Sequence, residues 1–234
     1  MSALPPSRTS LRVVSGEVQG KTYTSRMIFP SSTQASWPLF ERLGEVIATS
    51  SRPFPAHGHQ NQEVLTYIVE GFANYQMDDG TAEPLPAGAA RLLTSPVKST
   101  HRVSPARGGP IRWFNIVVTL PPGAAATNRL QTISPIPTAG AEGATYRTLV
   151  GPHGGLASAA GLESKAIDFV EEGTTFQRVG HDRRGVVYAL GGRGEIDGQA
   201  IEVGEAVLVE DASGIAIHGF EGLKLLLNTV PRPK

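Results

Sequence analysis

At 234 residues, 40% of them hydrophobic, the chain is long enough to bury a sizeable core in one large or two small domains. Its 21 basic and 21 acidic residues cancel, which argues against the clustered basic excess that a broad nucleic-acid footprint needs. It has no cysteine, so disulfides, thiolate metal sites and thiol nucleophiles are excluded, and any metal must be held by imidazole, carboxylate or water.

The opening MSALPPSRTS, with Pro5, Pro6 and Ser7, reads as a loose arm. No basic segment leads there into a long apolar run, so no signal peptide is expected. No apolar stretch approaches the ~20 residues that span a bilayer, so no membrane partner is expected either. The lack of disulfides fits a cytoplasmic protein. The 27 glycines and 18 prolines suit short strands joined by tight turns better than long helices.

The next informative stretch is FPAHGHQNQEVLTYIVEGFANY, residues 54–75. Residues two apart on a strand face the same side, so His57 and His59 point together with Gly58 between them. Two imidazoles on one face can chelate one cation. His101, which opens HRVSP before the strand-like IRWFNIVV, is the candidate third ligand from a neighbouring strand. Three neutral imidazoles suit Fe, Ni, Cu, Zn or Mn and leave coordination positions free. Strict alternation through Asn61 would bring Glu63 to the histidine face, as a fourth ligand or a proton acceptor. A bulge would turn it away and leave a buried structural glutamate.

One supersecondary unit occurs twice. TYIVEGFANYQMDDGTAEPLPAGAARLLT (66–94) and VYALGGRGEIDGQAIEVGEAVLVED (187–211) each run strand, glycine (Gly71, Gly192), strand, Asp-Gly turn (Asp79-Gly80, Asp197-Gly198), short segment, glycine (Gly88, Gly204), apolar strand. Asp-Gly is a strong hairpin signal because both residues accept positive φ cheaply. Strand-like runs recur in both halves, and NRLQTISPIPTAGAEGAT (128–145) reads as the connector. The expected architecture is all-β, two jelly-roll barrels in tandem, over 1–127 and 128–234. The second half has no His-x-His. Arg178 and Gly180 fall near where the pair would sit, His181 and His218 are isolated, and Asp182-Arg183-Arg184 reads as a solvated turn, so no second metal is expected.

The run HGHQNQEVLTYIVEG (57–71), followed by PAG (86–88) and His101, resembles the cupin superfamily and more closely the pirin family of two-cupin proteins. The shared spacing falls on His57, His59, Glu63, Thr66, Tyr67, Glu70 and Gly71. The resemblance implies a bicupin with one metal, commonly iron, in the N-terminal cupin. It implies four ligands: the paired histidines, a later histidine, and a glutamate two residues beyond it. The first three carry over to His57, His59 and His101; the fourth position is Val103, which cannot ligate. Gln60-Asn61-Gln62 also replaces the family's usual Arg-Gly-aromatic.

The resemblance implies two functions. One is a dioxygenase of the quercetin 2,3-dioxygenase kind, which opens a flavonol with O₂. In that reading Glu63 takes the proton, and Leu65, Tyr67, Val69, Leu93 and Trp113 are candidate walls for a flat aromatic substrate. The other is a metal-dependent regulatory or stress-response protein whose partner is another protein.

Overall fold

Runs of valine, isoleucine, leucine and aromatic residues, cut at short intervals by glycine and proline, favour short strands over helices. The computed structural model describes residues 10–19, 23–32, 37–48, 54–78, 80–106, 109–140 and 143–232, and no described residue is helical. No described helix is long and apolar enough to cross a membrane. Of the ten-residue arm expected at the start, the first nine residues lie outside the described residues, as does Asp79 of the expected Asp-Gly turn, and the tenth, Ser10, begins a strand instead.

The chain divides into two compact units. One takes residues 16–136 and 149–162. Its seven-stranded sheet runs, in spatial order, Arg129–Ile133, Ala90–Ser95, Gln62–Glu70, Ile111–Thr119, Phe40–Ala48, Thr24–Phe29 and Glu17–Gln19. Its four-stranded sheet runs His57–His59, Ser99–Pro105, Phe72–Met77 and Glu83–Pro86. The apolar interior includes Val46, Phe54, Ile68, Tyr75, Val103 and Trp113.

The other unit, within the described residues, takes 10–15, 137–148 and 163–232. It repeats the plan. Seven strands run Ser10–Ser15, Glu205–Glu210, Arg183–Gly191, Lys224–Pro231, Glu163–Phe169, Ala144–Val150 and Thr138–Ala139. Four run Gly173–Arg178, Gly214–Gly219, Arg193–Ile196 and Gln199–Glu202. Two all-β jelly rolls follow, as the sequence repeat implies.

A cut at 127/128 describes neither unit. Ser10–Ser15 pairs with Glu205–Glu210 in the second jelly roll. The presumed connector is in part strand: Arg129–Ile133 pairs with Ala90–Ser95 and finishes the first large sheet. Both additions cover what would otherwise be an open sheet edge with unpaired N–H and C=O groups.

The internal repeat holds residue by residue at its turns. Gly71 and Gly192 have φ of 84° and 70°, and Gly88 and Gly204 have 84° and 87°. A Cβ on Gly71 would lie 2.4 Å from the Pro110 carbonyl oxygen, and one on Gly192 2.6 Å from that of Gly222. At those two turns glycine is required by both conformation and space.

Candidate metal centre

Three residues of strand carry two of the histidines. His57–His59 pairs antiparallel with Ser99–Pro105, so that His101 sits directly opposite His57 and Ser99 opposite His59. The pairing is anchored at both ends. Asp78, at φ 43°, accepts the Thr100 backbone N–H and hydroxyl, each at 2.8 Å. Those two hydrogen bonds hold the Asp78 carboxyl below the usual carboxylate range. At the other end the Ser95 and Ser99 hydroxyls meet at 2.7 Å, and Ser95 also donates to the His59 carbonyl at 3.1 Å.

One face of this ladder therefore presents three imidazoles together. The Nε2 atom of His101 lies 2.9 Å from that of His57 and 3.1 Å from that of His59. Among the described residues this is the group that could hold a metal ion, with all its candidate ligand atoms within 4.8 Å of one another. His59 and His101 are buried, and His57 is half-buried. The rings are fitted among aromatic neighbours: Phe54 meets His57 edge-on at 5.1 Å, and Tyr75 lies 4.9 Å from His101.

Hydrogen bonds fix which nitrogens are bare. His57 Nδ1 faces the Pro55 carbonyl at 3.0 Å, which can only accept, so Nδ1 carries the proton. His59 Nδ1 faces Gln62 Oε1 at 2.7 Å. The orientation of that amide is set in turn, because Gln62 Nε2 donates to Glu41, which also accepts the Thr119 hydroxyl at 2.6 Å. Both rings therefore turn unprotonated Nε2 atoms inward, the arrangement in which an outer acceptor orients a metal-binding imidazole.

All three histidines hold their protons weakly. Burial lowers the pKa of His57 and of His59. Burial first, and then the charge of its two partners, pushes His101 down to about 2. At neutral pH the site is three neutral imidazoles.

A cation suits this arrangement. Nε2 lone pairs of His57 and His59 both face His101 Nε2, and one shared proton can satisfy only one of them. His101 Nδ1 is buried without a hydrogen-bond partner, consistent with a ring placed for its other nitrogen. The spacing also fits. Ligands about 90° apart at about 2.1 Å from a metal lie about 3.0 Å from each other, whereas tetrahedral ligands lie about 3.4 Å apart. The two observed separations of 2.9 and 3.1 Å match the former.

Glu63 is not in this cluster. Asn61 adopts φ 56° between the two strands, and the left-handed residue shifts the alternation by one. Gln62 returns to the histidine face, and Glu63 points to the other. There its carboxylate accepts the Thr94 hydroxyl at 2.7 Å, the Ser158 hydroxyl, and the backbone N–H groups of Ala159 and Ala160 at 2.9 and 3.3 Å. The proton-accepting role at the site is not available to it. Leu65 and Tyr67 share the parity of Glu63, so they too leave the set of wall candidates, whereas Val69 falls in the bulge between Ile68 and Glu70 where the alternation breaks. Leu93 and Trp113 remain in the apolar interior. Val103 lies two residues beyond His101, 1% exposed and packed in that interior.

Gln62 and Glu41 orient His59, yet neither stands out in the sequence. Gln62 was visible only as a departure from the pirin pattern, three residues after His59. Glu41 has no local signal, because its tie to the site runs through a side chain 21 residues away. In the second unit, His218 binds Thr174 and pairs with Glu172 at 3.3 Å, and His181 lies in a turn. The inward positions of Gly173–Arg178 carry Thr175 and Gln177, hydrogen-bonded to Tyr146 and Lys165. Arg183 and Arg184, expected in a solvated turn, instead open the strand Arg183–Gly191 and face Glu163 and Glu210.

No protein-family model and no curated protein matches the sequence. Solved structures do match. The bacterial pirin YhhW from Escherichia coli, in complex with nickel(II), superposes with a TM-score of 0.83 at 16% identity, over 96% of this chain and 100% of that one. Its fold is that of the pirin-like bicupins. A protein from Geobacillus kaustophilus gives a TM-score of 0.83 at 20% identity, covering 97% of this chain and 98% of its own. Quercetin 2,3-dioxygenase from Acinetobacter baumannii gives 0.82 at 14% identity, covering 94% and 79%. Against the pirin-like pattern, this chain departs by carrying Val103 where the fourth ligand is expected.

Proposed function

We propose that the protein binds one divalent transition metal through His57, His59 and His101 and acts as a dioxygenase of the quercetin 2,3-dioxygenase kind. The observation that carries this reading is the convergence of three neutral imidazole nitrogens, two of them held in the ligating tautomer. Iron is the metal proposed first, with nickel, copper, manganese and zinc as alternatives; one structural neighbour holds nickel(II). When bound, the metal supplies Lewis acidity toward a substrate hydroxyl oxygen, lowering its pKa. The chain's own part is binding and orientation. Gln62 and the Pro55 carbonyl keep the rings aimed, while Phe54 and Tyr75 back His57 and His101 with apolar surface that keeps water from them. A flat aromatic substrate such as a flavonol is the proposed small-molecule partner.

One observation favours a second reading. With Glu63 turned away, no carboxylate among the described residues groups with the triad, and Glu41, which reaches His59 through Gln62, already accepts from Gln62 and Thr119. A metal-dependent regulatory or stress-response protein needs no such group, and its partner would be another protein.

The test is metal analysis of the purified protein before and after chelation, followed by O₂ uptake with flavonols. The enzyme reading expects uptake that needs metal and is abolished in His59→Ala, because two imidazoles hold a metal poorly. Metal retention without O₂ uptake across a flavonol and catechol panel would turn the balance to the regulatory reading. No metal uptake at all would end both.

A further inference from the structure

The strand Phe40–Ala48 turns one set of alternate residues inward. Val46 and Ala48 belong to the apolar interior. Arg42 continues the same alternation, paired with Val117 before the register shifts. Val117 packs inward with Val64 and Leu93, so Arg42 stands on the inner face at the end of the strand. Met77 packs against that same cluster and is the ladder partner of His101, so the inner face that carries Arg42 borders the histidine ladder.

Arg42 is half-buried. Three other arginines of this unit have acids, Arg26 and Arg112 sharing Glu45 and Arg91 holding Glu83 at 2.6 Å, while Arg102 and Arg129 bond to the neutral oxygens of Gln76 and Ala157. Among the described residues Arg42 has neither a hydrogen bond nor an ion pair. The adjacent Glu41 keeps its single negative charge, because its partners Gln62 and Thr119 are neutral, but it bonds to them and not to Arg42. A guanidinium withdrawn from water without a counter-charge is costly unless something else supplies that charge.

The histidine site adds to the imbalance. Three neutral imidazoles leave a divalent metal its full double charge, and Val103 contributes none of the neutralisation that a carboxylate there would give. Metal and guanidinium together make a partly buried cationic site with open positions. Its natural complement is an anion. Resting on the metal-binding reading above, we infer that Arg42 is the specificity residue of this site and selects an organic anion with two adjacent oxygen donors, such as an enolate or catecholate. The guanidinium reads the charge while the histidine site takes the oxygens. The charge that the protein omits at Val103 is then brought by the substrate.

The test uses full-length wild type, Arg42→Met and Arg42→Lys, each loaded with nickel(II) and freed of excess metal. Bound metal is measured by elemental analysis, and nitrocatechol, a coloured chelating anion, is titrated spectroscopically. Equal metal in all three is expected, because Arg42 is not a ligand. Nitrocatechol affinity should fall roughly ten- to a hundredfold in Arg42→Met, the range of a lost charge-assisted hydrogen bond, and largely survive in Arg42→Lys. Wild-type affinity should also weaken as salt rises. Unchanged affinity in Arg42→Met with metal retained overturns the inference and leaves the metal site standing. Loss of metal in Arg42→Met, with wild type loaded, also overturns it, since Arg42 would then be supporting the histidines. Wild type that takes up no nickel removes the metal-binding reading itself. If Arg42→Met does not fold, Arg42→Gln and the salt dependence of wild type decide: a flat salt response overturns the inference.

Discussion

The Glu63 carboxylate accepts the Ala159 backbone N–H at 2.9 Å, pinning residues 158–160 to the sheet on the face away from the histidines. The pirin-like motif places a glutamate here, and its work in this protein is to satisfy buried donors. Glu63 is itself 0% exposed, and two hydroxyls and two backbone N–H groups converge on it.

Glu63→Gln should therefore cost stability and spare the metal. One carboxylate oxygen becomes an NH₂ that faces donors, leaving buried donors unmatched at about 1–3 kcal/mol. For a chain of this size that lowers Tm by roughly 2–4 °C per kcal/mol. The check is a thermal melt paired with elemental analysis. Metal loss at unchanged stability would contradict the assignment.

The relation between His59 and Gln62 yields a prediction of the opposite kind. Gln62→Leu removes the acceptor that holds the His59 Nδ1 proton and lets the ring turn. Groups that orient a metal-binding histidine typically account for 10–100-fold in metal affinity. A fall of about that size in competition with a chelator, with little change in Tm, is expected. An unchanged affinity would mean that the aromatic packing alone fixes the ring.

Much of this was legible because periodicity and turn chemistry are local. The i, i+2 spacing of His57 and His59 needs only an extended backbone, and His101 needs only an antiparallel neighbour. The glycine turns at Gly71 and Gly192 repeat because each meets a carbonyl too closely for a side chain. Glu63 was ambiguous for a physical reason. One left-handed residue, Asn61, shifts the alternation of the strand that follows, and asparagine favours that conformation without requiring it. The strand Gln62–Glu70 is also buried over most of its length on both faces, so no polar alternation marks which side is inner. Glu41 was hidden because its tie to the site runs through a strand distant in sequence.

Val103 offers a test by restoration. It packs in the apolar interior beside Tyr75, its partner across the ladder, two residues past His101 on the same face. Val103→Glu should tighten metal retention, since a carboxylate adds both charge and a further donor. The same substitution should destabilise the metal-free protein, because an unpaired carboxylate is buried there. The expected signature is a Tm that falls without metal and recovers with it. A variant with no gain in chelator competition would show that residue 103 does not reach the metal position.

The final prediction concerns acid. In the folded, metal-free protein His57, His59 and His101 all have lowered pKa values, His101 at about 2. In the unfolded chain they return to about 6.5. Between those values the unfolded state binds more protons than the folded one, so stability rises with pH up to about 6.5 and is lost as pH falls below it. Above that window neither state is protonated and the three groups add no pH dependence. For His101 the loss continues down to about 2, at no more than about 1.4 kcal/mol per pH unit for one group. Denaturant midpoints of chelator-treated protein should therefore drop between pH 7 and pH 5. His101→Leu should drop less steeply, since its contribution to the proton difference is gone, and the gap between the two curves isolates it from the carboxylates titrating nearby. Parallel curves for wild type and variant would show that His101 titrates as freely folded as unfolded, and the buried neutral triad would have to be given up.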